Sequence, residues 1–155
     1  MASPPETRIQ ELHLTLPPAP KAVAVYKTAV QVGNLLYVSG HGPLKSDKTM
    51  ITGRLGKDLT LEQGHAAARQ TGLAILATIK DTLGSLNKVK RLIKSFGMVN
   101  CTDDFIDQPK VINGYSELMK EVFGEDAGVG ARSAIGHNSL PGNIAVEIEA
   151  IFEVE

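Results

Sequence analysis

A chain of 155 residues with 43% hydrophobic and 21% charged side chains has the volume for one two-layer core and the composition of an ordinary globular protein. Its net charge of −1 and 5% aromatic content, with no Trp, argue against nucleic acid as the main partner, since phosphate needs a basic face and bases need stacking platforms. The single Cys101 excludes an internal disulfide and a cysteine zinc cluster, and no run approaches the roughly 18 apolar residues of a membrane span. With no apolar signal core near the N-terminus, a cytoplasmic location is expected.

Residues 1–20 are rich in proline, closing on Leu16-Pro17-Pro18-Ala19-Pro20, and read as an extended lead-in to a single domain over 21–155. Tyr26 to Val32 and Leu35 to Ser39 are β-prone runs separated by Gly33-Asn34, the spacing of a two-residue hairpin. Gly40-His41-Gly42-Pro43 then leaves the sheet, and 45–57 is a polar loop in which Thr49 to Thr52 is expected to add a short strand. Thr60-Leu61-Glu62-Gln63 is a capping box, so a helix starts near Leu61. Its stripe is Ala68, Gly72, Ile75, Leu76, Ile79 and Leu83, and Gly84 stops it. Gly64 and Gly72 each cost about 1 kcal/mol relative to Ala in a helix, a cost usually offset by close approach to a sheet.

Val89 to Cys101 reads as a long strand. A second helix is expected after Thr102-Asp103-Asp104, with Pro109 in its first turns, a stripe of Phe105, Ile112, Tyr115, Met119 and Val122, and Gly124 at its end. Ala131 to His137 has the length of a strand, and 138–143 has the Asn, Pro and Gly of a reversal. From Ile144 to Val154 the even positions are all apolar while Glu147, Glu149 and Glu153 occupy odd ones, the alternation of a half-buried strand. These elements predict an α+β two-layer sandwich, a mixed sheet of five or six strands with two helices on one face. The other face, with Ala145 and Ile151, is too apolar to be simply solvated, and a closed ring of identical chains would cover it.

If the last two strands form a hairpin, Arg132 and Glu147 lie side by side on the non-core face. As a surface ion pair they would contribute about 0–1 kcal/mol. The alternative is a pocket for a planar anion: Ala131, Ser133 and Ala134 leave the guanidinium uncrowded, and arginine holds a carboxylate through two parallel hydrogen bonds. A metal site from His41, His137 and a glutamate matches no standard ligand spacing, so no metal is expected.

Three stretches together, APKAVAVYKTAVQVGNLLYVSGHGP at 19–43, GARSAIG at 130–136 and LPGNIAVEIEAI at 140–151, carry a family resemblance. The chain resembles the reactive-intermediate deaminase (Rid, or YjgF-like) family, older members of which are labelled L-PSP endoribonucleases. The resemblance implies a chorismate-mutase-like fold and a homotrimer with clefts between subunits. It also implies hydrolysis of 2-imino or 2-enamino acids to 2-keto acids and ammonium, with neither metal nor organic cofactor. By the same resemblance Arg132 would hold the substrate carboxylate, Glu147 would orient or activate water, and Tyr26 would stand at the cleft wall. The Ser39-Gly40 backbone would line the base, with Ala134 and Tyr115 among the substrate contacts. Ala134 stands where the deaminase type often has Cys, Val25 replaces the proline common before the tyrosine, and residues around Glu125–Val129 lengthen a loop, which places the chain in a divergent branch.

The chemistry asks little of the protein. An imino acid hydrolyses readily in water, a positioned carboxylate acting on that water is worth roughly 10²–10⁴-fold, and a held carboxylate adds orientation. The alternative from another class is a non-catalytic trimer that captures a small carboxylate through the same Arg132 for a regulatory role.

Overall fold

In the computed structural model, which describes residues 3–155, the elements run α1 (Pro5–Glu11), β1 (Ala29–Val32), β2 (Leu35–His41), α2 (Leu61–Leu83), β3 (Val89–Asn100), α3 (Gln108–Phe123), β4 (Ala131–His137) and β5 (Val146–Val154). The capping box forms as predicted: Thr60 accepts a hydrogen bond from the Gln63 amide, and the Gln63 side chain accepts one from the Thr60 amide. Gly84 ends α2 in the left-handed conformation that a Cβ would disfavour. Gly33, also at positive φ, turns the β1–β2 hairpin.

The strands form one five-stranded sheet in the order β1-β2-β5-β3-β4. All neighbours are antiparallel except β3 and β4, which are parallel. The expected hairpin of the last two strands is therefore corrected. A parallel pair needs a crossover, and α3 supplies one between β3 and β4. The turn residues at 138–143 then carry the chain past the end of β3, and β5 enters the sheet between β2 and β3. Its apolar face dictates that central place: Val146, Ile148, Ala150, Phe152 and Val154 are all buried under the helices. Full burial of an Ile or Phe side chain is worth about 1.5–3 kcal/mol, so the middle of the sheet is where this strand gains most.

α2 and α3 cover one face of the sheet and lie against each other. Gly72 marks a close approach, but to α3 rather than to the sheet, since a Cβ there would meet Leu118 and Tyr115. At the same contact Gly114 of α3 lies against the backbone carbonyl of His65, with no room for any side chain. Gly97 of β3 leaves space for Ile112, whose side-chain atoms would stand 2.7–2.9 Å from a Cβ.

Several boundaries differ from the expectation: β1 begins at Ala29 rather than Tyr26, and β2 runs on through Gly40 to His41, which pairs with Ile148 instead of leaving the sheet. The lead-in is not wholly extended, because Pro5–Glu11 is helical: Pro sits in its first turn, Ile9 is buried, and Glu6 accepts from the Leu86 amide and pairs with Lys80 at 2.9 Å. α3 begins at Gln108 rather than just after Asp104, because Thr102 spends its hydroxyl on the Asp104 carboxylate 2.7 Å away instead of capping a helix. Thr49 to Thr52 makes only isolated bridges, Leu44 with Met50 and Thr52 with Ile144. On the open face of the sheet Val30, Tyr37 and Ile135 are each 43–45% exposed, and Ile151 is partly so. Ala145, expected there, is buried inside the subunit.

Gly114→Ala should lower stability by about 3 kcal/mol, because the added methyl strikes backbone that no rotamer change can move. Urea unfolding followed by far-ultraviolet circular dichroism measures the loss.

Candidate functional site

Glu147 lies on the open face, half-buried, with Met98 as its register partner on β3. On its other side the pairing of β2 with β5 slips between Val38 and His41, so Ser39 and Gly40 form a bulge. Bulges re-aim side chains beside functional sites, and this one has a specific anchor. The His41 ring is buried, with Nδ1 2.6 Å from the Ser39 carbonyl oxygen and Nε2 2.7 Å from Thr78 Oγ1. A carbonyl can only accept, so Nδ1 carries the proton and Nε2 accepts from the Thr78 hydroxyl. Burial pushes the His41 pKa down, so the ring is held neutral.

Gly40 is the residue on which the Glu147 carboxylate rests, since a Cβ at position 40 would fall on Glu147 Oε2. Burial raises the pKa of Glu147, the nearby Glu149 raises it further, and His137 opposes both. The result is a carboxylate with more appetite for a proton than an exposed one, as a general base needs. Beside it, Ser39, Tyr37, Val30, Lys94, Phe96, Glu149 and Ile151 line an open cavity of about 440 Å³. Ser39 Oγ donates to the Lys27 carbonyl 2.6 Å away, which ties the exposed segment before β1 to the bulge. Tyr26 sits in that segment, outside any strand and 45% exposed.

Arg132 is not beside Glu147. Its register partner is Ser95, a buried residue facing the helices, so its side chain lies on the helix face while Glu147 lies on the open face, with β3 between their strands. Arg132 Nη1 donates to Asn113 Oδ1 at 2.8 Å and Ser116 Oγ at 3.1 Å, both on α3. These neutral partners orient the guanidinium without neutralising it. It borders a cavity of about 330 Å³ between α3 and the start of β4, where Lys120 and Glu125 pair with each other at 2.7 Å. Ala134 lies two residues along β4 on the same helix face, opposite Gly97. Tyr115, expected among the substrate contacts, is fully buried with its hydroxyl 2.8 Å from Ser95 Oγ, and burial pushes its pKa up. It is a core residue and leaves the candidate site.

The fold thus brings together Glu147, Gly40 and Ser39, and separates them from Arg132 and Ala134. Sequence reasoning missed Asn113 and Ser116 as partners of Arg132. The signal was present, since residues three apart on a helix share a face and these two flank the buried Tyr115. No helix of the described residues is long and apolar enough to cross a membrane.

With this geometry in view, the family model described as "YjgF/chorismate mutase-like, putative endoribonuclease" matches residues 6–151. The chain belongs to the YjgF-like family. The Dermatophagoides farinae protein named 2-iminobutanoate/2-iminopropanoate deaminase is 31% identical over 143 residues, covering 92% of this chain and 95% of that one. A crystal structure from Shewanella oneidensis superposes with a TM-score of 0.93 at 31% identity, over 98% of this chain and all of that one. A protein of unknown function from Agrobacterium tumefaciens is 43% identical with a TM-score of 0.89, over 97% of this chain and 92% of its own. The α+β sandwich read from the sequence is accordingly the chorismate-mutase-like fold of this family.

The buried His41 of this YjgF-like chain has a measurable signature. Its folded pKa lies below the ordinary 6.5, so on acidification the unfolded chain takes up a proton first. Its stabilisation is complete above that value and is lost as pH falls through the lower, folded one. Urea midpoints measured between about pH 7 and pH 5 should fall in the wild type and fall less in His41→Asn, ahead of the general carboxylate titration at lower pH.

Proposed function

We propose that the chain hydrolyses reactive 2-imino and 2-enamino acids to 2-keto acids and ammonium at clefts between the subunits of a homotrimer. The observation that carries the reading is the half-buried, proton-seeking Glu147 on a partly apolar open sheet face, resting on a glycine that no other residue could replace without moving it. The deaminase name of a relative 31% identical along most of its length supports the same chemistry.

Because Arg132 and Glu147 occupy opposite faces of one sheet, a substrate that touches both must lie between two chains. The edge strand β4 of one subunit, laid over the open face of the next, would bring Arg132 to its neighbour's Glu147 and bury Tyr37, Val30 and Ile151. Repeated around a ring, that contact closes. Arg132, held by Asn113 and Ser116, takes the substrate carboxylate. Glu147 accepts a proton from water as the water oxygen bonds to C2 of the protonated imine. Glu147 returns that proton to the carbinolamine nitrogen; as the C–N bond breaks and the C=O bond forms, the hydroxyl proton passes through Glu147 to the departing ammonia, which leaves as ammonium, and the keto acid remains. Ser39 and Gly40 line the base of the cleft and Tyr26 its wall. The alternative, a trimer that binds small carboxylates without turnover, shares the Arg132 end and lacks the Glu147 step.

Ammonium release from an imino acid generated in situ by an amino-acid oxidase tests the reading. The wild type should accelerate release and Glu147→Gln should abolish the acceleration while still binding pyruvate or 2-oxobutanoate in calorimetry. Arg132→Lys should weaken keto-acid binding by roughly 1.5–3 kcal/mol, because lysine keeps the charge and loses the planar fork. Keto-acid binding without any acceleration would leave the carboxylate-binding trimer as the function.

The two-chain site has its own test. Arg132→Lys and Glu147→Gln homotrimers, unfolded together and refolded as mixtures, should recover activity that neither shows alone, because some clefts then receive both wild-type residues. No recovery would mean that both residues act from one chain or that the pair does not form a site.

A further inference from the structure

Among the described residues, the buried side-chain polar atoms that lack a hydrogen-bond partner are Arg54 Nε, Asn100 Oδ1 and His137 Nε2, and they gather at one end of the sheet. Asn100 and His137 are register partners on the neighbouring strands β3 and β4, so their side chains leave the sheet on the same side. They stand an odd number of positions beyond the Ser95–Arg132 pair, which puts them on the open face. Backbone hydrogen bonds tie Arg54 to both. Its guanidinium donates to the Cys101 carbonyl oxygen, and the Cys101 amide donates to the His137 carbonyl oxygen at 3.1 Å. The Leu55 amide donates to the Asn100 carbonyl oxygen at 2.8 Å.

We propose that Arg54, Asn100 and His137 form a binding site for a small oxyanion that carries its own hydroxyl, of the class of hydrogen phosphate or a hydroxycarboxylate. The site is separate from Arg132, which lies on the helix face, and it stands whether or not the chain hydrolyses imines.

The unpartnered atoms define the class of ligand. Asn100 is 1% exposed, and its Nδ2 lies 3.1 Å from the Ile144 carbonyl oxygen, which can only accept. The amide is thereby fixed in orientation, and Oδ1 is a true free acceptor that needs a donor from the ligand. Arg54 is always charged, yet it pairs with no carboxylate among the described residues. Asp58, the carboxylate nearest to it in sequence, accepts from the Arg54 backbone amide instead. A guanidinium without a counter-charge repels a cation and selects an anion, and His137 Nε2 is placed to give it a second hydrogen bond. A bare carboxylate would satisfy these donors and leave Asn100 Oδ1 buried and unpaired, so an added O–H decides affinity. The way in lies beside the loop after β4, where Asn138 and Ser139 are exposed and His137 itself is partly so.

Histidine-ring NMR of the intact assembly tests the site, with the His137 signal assigned by its loss in His137→Gln. Sodium phosphate, titrated at constant pH and ionic strength, should shift that signal along a saturable curve. Arg54→Gln should weaken the binding about tenfold or more, the effect of losing a hydrogen bond from a charged group, while Arg132→Lys leaves it unchanged. In the wild type, glycolate followed at the same signal should bind about fivefold or more tighter than acetate, because only glycolate brings a hydroxyl to Asn100. This comparison needs no variant and keeps the test decisive if Arg54→Gln does not fold. A shift that does not saturate, an affinity unchanged in a folded Arg54→Gln, a shift lost in Arg132→Lys, or equal binding of glycolate and acetate overturns the proposal and leaves the three groups to solvent.

Discussion

The structure depends on where β5 lies. Its backbone is hydrogen-bonded on both edges, to β2 and to β3, and every second side chain from Val146 to Val154 is buried beneath α2 and α3. A strand satisfied on both sides cannot also pair with β4, so β4 is left to join the far edge of β3 in parallel. The α3 crossover follows from that parallel pairing. So does the position of Arg132: in register with Ser95, it meets α3 and not the open face.

That displacement changes what the two charged residues mean. An adjacent arginine and glutamate would neutralise each other, at a gain of about 0–1 kcal/mol and with little left for a ligand. Held on opposite faces by a rigid sheet, each keeps its capacity for a partner. Arg132 is oriented by the neutral Asn113 and Ser116, and Glu147 is kept hungry for a proton by burial and by Glu149. The β2 bulge completes the arrangement, with Gly40 under the carboxylate and the neutral His41 locking the bulge to Thr78 of α2. The helix layer thus reaches the open face through a buried histidine as well as through packing.

Close approach between α2 and α3 is the other condition on this design. Gly72 and Gly114 bring the helices together where larger residues would strike side chains or backbone, and the gap at Gly97 seats Ile112 against β3. Asn113 and Ser116 reach Arg132 from a helix whose depth is set by those glycines. α1 adds a clamp at the far end, where Glu6 binds the Leu86 amide and Lys80.

Local chemistry was enough to read most of the elements. The Thr60 capping box, the Gly33-Asn34 turn, the Gly84 stop and the alternation of β5 each act over a few residues, and each is where the sequence predicted it. The motifs around Arg132 and Glu147 likewise revealed the family from sequence alone. What the sequence could not determine was which strand lies next to which. Pairing is a competition among non-local partners, and β5 lies between β2 and β3 with its apolar face buried from Val146 to Val154. Alternation assigns residues to one side of a strand or the other, but only the pairing says which side of the sheet that is. Whether Arg132 and Glu147 share a face, and whether Tyr115 lines a cleft or fills the core, were decided in the tertiary structure for that reason.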